Sequence, residues 1–95
     1  MDSNLDQTVR TLLNELESTA ELPIDPIANR WLGEAEALAR DLARSDVSTG
    51  VVRKRFQQIQ YLLNQIDECN NPTATSHVDR AKAIVNSTLE TQNEL

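Results

Sequence analysis

Five apolar residues, Val52, Phe56, Ile59, Leu63 and Ile66, recur at spacings of 4, 3, 4 and 3. That is a heptad pattern, with Phe56 and Leu63 at a and Val52, Ile59 and Ile66 at d. It places one continuous apolar stripe on one side of a helix, and other helices must cover that stripe. Fewer than three heptads make a poor free-standing coiled coil, so the segment reads as one helix of a bundle.

The rest of the chain supplies three more helical stripes and no sustained strand alternation. The first is Leu5, Val9, Leu12, Leu16 and Ala20, widened by Leu13, with Ser3 and Asp6 placed as a capping box. Leu22-Pro23-Ile24-Asp25-Pro26 ends it, because each proline disfavours helix in the residue before it. Asp25 as N-cap and Pro26 at the first helical position then start the second helix. Its stripe reads Ile27, Trp31, Ala35, Leu38 and Leu42, flanked by Ala28, Leu32 and Ala39. Asp46 or Ser48 caps the third helix, and Asn70-Asn71-Pro72 ends it. The fourth begins at Pro72 after an Asn71 cap, or at His77 after a Ser76 cap with Asp79; the later start is the expected stable one. Its stripe is Val78, Ala81, Val85 and Leu89, with Ile84 beside it.

These signals predict a single helical domain with helices at 4–20, 26–44, 48–69 and 77–91. Short connections make neighbouring helices antiparallel. The expected fold is therefore all-α, a four-helix up-down antiparallel bundle with the third helix central. Its expected core is Leu12, Leu16, Trp31, Leu38, Leu42, Phe56, Ile59, Leu63, Ile66 and Val85.

The 95 residues carry fifteen acids and nine bases, a net charge of −6. The charge is uneven, since six of the nine bases lie between residues 30 and 55. Seven bases are arginines and only Lys54 and Lys82 are lysines. By composition, over the whole chain, this arginine-rich acidity resembles small helical proteins of the haloarchaeal cytosol. No apolar run approaches the roughly 20 residues that cross a bilayer, so no membrane association is expected. Met1-Asp2-Ser3-Asn4 lacks the basic and apolar regions of a signal peptide. A lone cysteine, Cys69, can form no internal disulfide. The expected setting is the reducing cytoplasm.

Catalytic chemistry finds no motif. There is no Gly-x-Ser-x-Gly elbow, and Gly33 and Gly50 stand too far apart for a phosphate loop. Glu34 and Glu36, two apart on a helix, point to different faces. Cys69 and His77, near Asp67, Glu68 and Asp79, lack the paired spacing of a zinc site. The expectation is a non-enzymatic protein with no catalytic residue, no cofactor and no metal.

Two surfaces remain. Residues 56–66 carry no charged side chain in a chain that is 25% charged. Tyr61 falls at heptad position f, away from the stripe, and Leu62 at g on its flank. Uncharged side chains can be covered by a partner without desolvating an ion, and tyrosine is enriched in interface cores. Gln57, Gln58, Tyr61, Leu62 and Gln65 are thus candidate interface residues, for a homodimer or for another protein. The same pattern also fits a central helix covered on both sides by its own neighbours.

The second surface is basic. Asp46-Val47-Ser48-Thr49-Gly50-Val51-Val52-Arg53-Lys54-Arg55-Phe56 resembles the turn and recognition-helix start of helix-turn-helix regulators. That resemblance implies Ser48, Thr49, Arg53, Lys54 and Arg55 facing DNA, with Val47, Val51, Val52 and Phe56 packing. The segment departs from the pattern in three ways. Leu42-Ala43 sits one residue too close to Val47-Ser48, Asp46 stands where a glycine is usual, and the expected helix is long. A net acidic chain also repels phosphate. A DNA-associated regulator is the alternative to the interaction module.

Overall fold

Each stripe folds as a helix, and the helix ends follow local capping chemistry. The computed structural model describes residues 3–67 and 69–93. Its elements are α1 (Ser3–Thr19), α2 (Pro26–Arg44), α3 (Thr49–Asn64) and α4 (Pro72–Asn93). The expected cap on α1 rests on the Ser3 side chain, which lies outside the described residues. Asp6 instead meets Arg10 one turn on, at 3.1 Å.

Asp25 caps α2 as its position demands, its carboxylate accepting from the N–H groups of Ile27 and Ala28. Ser48, rather than Asp46, caps α3, its hydroxyl accepting from the Val51 N–H. The third helix ends at Asn64, five residues short of its expected end. Gln65 and Ile66 donate back to Leu62 and Leu63 in a tightened last turn. The chain then leaves the helix, yet Ile66 and Cys69 stay buried. A heptad stripe registers that burial but not the change of backbone. Asn70 adopts the left-handed region at φ 59°, which asparagine tolerates better than most residues.

The fourth helix starts at Pro72 and not at His77. Asn71 Oδ1 accepts from the N–H groups of Thr73 and Ala74, which makes Asn71 the N-cap. Ser76 lies inside the helix, its hydroxyl donating to the Pro72 carbonyl. The added first turn brings Ala74 into the core.

The helices form a ring: α1 and α3 each pack on both α2 and α4, and no diagonal packing joins described residues. This is the up-down antiparallel four-helix bundle. No helix is central, contrary to the expectation for α3. The connections at one end of the bundle are tied together. The Asp25 N–H donates to the Cys69 carbonyl at 3.0 Å, and Asn71 Nδ2 donates to the Pro23 carbonyl at 3.2 Å.

The core takes Val9, Leu12 and Leu16 from α1, Val52, Phe56, Ile59 and Leu63 from α3, and Val78, Ala81, Val85 and Leu89 from α4. The second helix departs from expectation. Its buried residues are Ala28, Leu32, Ala35, Ala39 and Leu42. Trp31 and Leu38 are only half-buried, and Ile27 is 69% exposed. The helix is thus turned away from the stripe drawn through its largest apolar residues. A second heptad phase, made mostly of alanine, faces inward.

Two measurements check these points. Ala35→Leu should overpack the interior and lose about 1–3 kcal/mol in urea denaturation, whereas Ile27→Ser should stay within about 0.5 kcal/mol of wild type. The reverse order would mean that α2 faces inward through Ile27. Asn71→Ala removes a cap and the tie to Pro23, and should cost about 1–2 kcal/mol.

Candidate protein-docking face

A groove runs along the outside of α2 and α3. Toward the N-terminal end of α2 lies a separate hollow bordered by Ile27, Trp31 and Gln65. The middle of the groove is lined by Leu38, Val51, Gln58, Tyr61 and Leu62. Its far end, beside the α2–α3 connection, reaches Asp41 and Val47. Three large hydrophobic side chains are exposed among the described residues: Ile27, Val51 and Tyr61. Val51 and Tyr61 line this groove, and Ile27 lines the separate hollow beside Trp31. Tyr61 is 62% exposed.

The geometry follows from two helical faces. On α3 the core residues fill one side, so residues one position off the stripe turn toward α2 or outward. Gln57 and Gln58 are exposed, while Leu62 and Gln65 are half-buried. Gln65 Nε2 donates to the Tyr61 carbonyl at 3.2 Å, which holds the amide along the helix. On α2, burying the alanines rotates Ile27, Trp31 and Leu38 to the groove side. The five residues expected on an interface therefore lie on the same side as Trp31 and Leu38, which were expected in the core, and Ile27, which was expected on the α2 stripe. The third helix does pack against α2 on one side and α4 on the other, as the alternative expected, but Tyr61 stays exposed. The neighbours α2 and α4 leave the Tyr61 side open. The signal for the missed half was present in the sequence, since Ala28, Leu32, Ala35, Ala39 and Leu42 keep the same 4, 3, 4, 3 spacing as α3.

The basic run does not form one surface. Successive residues of a helix point about 100° apart. Arg53 borders a polar groove with Gln60, Asn86 and Glu90 on the α4 side. Lys54 and Arg55 border the groove toward α2, and Arg55 Nη1 donates to Gln58 at 3.0 Å. Ser48 is occupied as the α3 cap, and Thr49 is exposed in the first turn. Val51, expected to pack beneath a recognition helix, lies in the open groove, whereas Val52 and Phe56 are fully buried.

His77 and Cys69 have separate surroundings. Cys69 is buried, and burial pushes its thiol up. His77 joins α4 to α1: its Nδ1 lies 2.7 Å from Glu15 Oε2, and Arg80 Nε reaches the same oxygen at 3.1 Å. A proton on Nδ1 makes His77 the donor. Arg80 Nη2, 3.1 Å from that nitrogen, then finds no lone pair there. Partial burial pushes the Glu15 carboxyl up, but the bonds from His77 and Arg80 outweigh it and hold it below its ordinary value of 4.5. Among the described residues no group of three His, Cys, Asp or Glu side chains is placed to hold a metal ion. Among the described residues no helix is long and apolar enough to cross a membrane.

A family profile described as Domain of unknown function (DUF8152) matches residues 8–94. The chain belongs to this family. The match takes in α2 and α3 whole, and with them both walls of the groove. No curated protein and no solved structure matches the chain.

In this DUF8152 member the Glu15 cluster has a pH consequence. A carboxyl held below its ordinary value adds stability above that value and loses it as pH falls through the lowered one. Glu15→Gln should therefore lower stability at neutral pH and flatten the acid-side decline below about pH 4.5. Chemical denaturation at a series of pH values reads this. An unchanged acid-side slope would show that the α1–α4 cluster is not its source.

Proposed function

We propose that the chain is a non-enzymatic interaction module that self-associates through the α2–α3 face. The observation that carries this is the exposure of Val51 and Tyr61 in one groove between α2 and α3, with Ile27 in a second hollow between the same helices. Scattered exposed apolar groups are ordinary, but an apolar strip rimmed by polar groups marks a docking surface. The rim carries the amides of Gln57, Gln58 and Gln65 beside charged side chains such as Asp41, Lys54 and Arg55, and covering the amide part with protein costs less than covering ions. The occupant favoured by the charges is a second copy: near the α2–α3 connection Asp41 stands on the α2 wall and Lys54 and Arg55 on the α3 wall. A reducing cytoplasmic setting suits a chain whose one thiol is buried and unbridged.

Sedimentation tests the reading directly. Wild type should move from monomer to dimer as its concentration rises through the micromolar range. Tyr61→Glu should keep it monomeric while leaving its circular dichroism and melting unchanged. A wild type that stays monomeric at high micromolar concentration would sink self-association. Titration with duplex DNA at low salt addresses the regulator reading. Little retention is expected, because the basic side chains diverge. Tight binding that falls steeply with added salt would favour nucleic acid instead.

A further inference from the structure

Two charged side chains flank one level of the groove with no ion-pair partner among the described residues. Asp41, on the α2 wall, borders the stretch shared by Leu38, Val51 and Arg55. Lys54, on the α3 wall, borders the same stretch. Elsewhere along these walls Asp67 stands beside Ile27 and Gln65, at the opposite end from Asp41. Arg55 is bonded to Gln58, and Glu34 lies 4.0 Å from Arg30, whose guanidinium sits 5.9 Å from the centre of the Trp31 ring.

We infer that two copies pair about a two-fold axis running along the groove, so that α2 of each lies on α3 of the other and Asp41 meets the partner's Lys54. The inference rests on the self-association reading and adds its geometry. Rotation about an axis parallel to the helices exchanges the two walls but keeps every residue at its own level. Asp41 and Lys54 both border the stretch of Leu38, Val51 and Arg55, so the exchange brings acid to base, twice per dimer. Within one copy α2 and α3 are antiparallel, and the rotation preserves direction along its axis. Each intermolecular helix pair is therefore antiparallel too. A two-fold axis across the helices would instead set α2 on α2 and carry Asp41 to the opposite end of the partner. The neutral stretch 56–66 then covers the remaining length, with Tyr61 and Leu62 against the partner's α2. The ion pairs sit at one end, where they fix which wall meets which wall without interrupting the apolar middle.

The arrangement predicts an asymmetric rescue. Asp41→Lys places lysine against lysine in its homodimer, and Lys54→Glu places glutamate against aspartate. Each variant alone should dimerise about tenfold or more weakly than wild type. In a mixture, both contacts of the heterodimer again oppose unlike charges, so the two variants should pair with each other in preference to themselves. Native mass spectrometry of the mixture, with one variant labelled with nitrogen-15, reads this, and circular dichroism checks that both variants fold. Both substituted positions are exposed, so the fold should tolerate them. Preferential heterodimers at near wild-type strength are the expected result. A statistical or unassociated mixture, with wild type dimeric and Tyr61→Glu monomeric, would overturn the arrangement while leaving self-association standing. A monomeric wild type would overturn both.

Discussion

Ala28, Ala35 and Ala39 are fully buried on the inner face of α2, and their small size governs both sides of that helix. A bundle interior holds a limited volume at close packing. Phe56, Ile59 and Leu63 of α3 and Leu12 and Leu16 of α1 already fill it. With methyl groups facing inward, α2 can come close to both neighbours. The larger side chains Ile27, Trp31 and Leu38 are then carried to the outside, toward α3. The apolar groove is the other face of a tightly packed helix, and the same rotation that closes the core opens the candidate face.

Polar contacts decide where the helices stop and how the ends are joined. Asn71 caps α4 and reaches back to Pro23, while Asp25 caps α2 and donates its N–H to Cys69. Four residues thus bind the α1–α2 connection to the α3–α4 connection, which lets Ile66 and Cys69 remain buried outside any helix. Along the helices, Gln60 and Asn86 join α3 to α4 at 2.7 Å, and Arg40 reaches from Glu36 to Glu17 across α1 and α2. Such partly exposed pairs add little stability each. They do join neighbouring helices, α3 to α4 and α2 to α1, at fixed positions along their length.

The candidate face was half legible in the sequence. The third helix announced its own part, because one clean stripe leaves no doubt about which side is outward. Tyr61 followed from position f, and the lack of charge from 56 to 66 marked the surface as coverable. The second helix was ambiguous. It carries two overlapping apolar phases, one of large residues and one mostly of alanine, and hydrophobicity alone favours the large ones. Volume breaks the tie, and volume is a property of what the other helices bring to the interior. The start of α4 posed a similar choice between two caps. Asn71 prevailed because it satisfies the N–H groups of α4 and a carbonyl of a distant connection at once.

The sequence by itself determined four helices, their approximate limits and their antiparallel order, because periodicity, prolines and capping residues act within a few positions along the chain. It also determined the inner side of α3. Only the tertiary structure decided the rotation of α2, the divergence of Arg53 from Lys54 and Arg55, and the meeting of Glu15 with His77 and Arg80. Those outcomes depend on which side chains compete for one interior and on which helix faces become neighbours. Neither question is answered by any segment read alone.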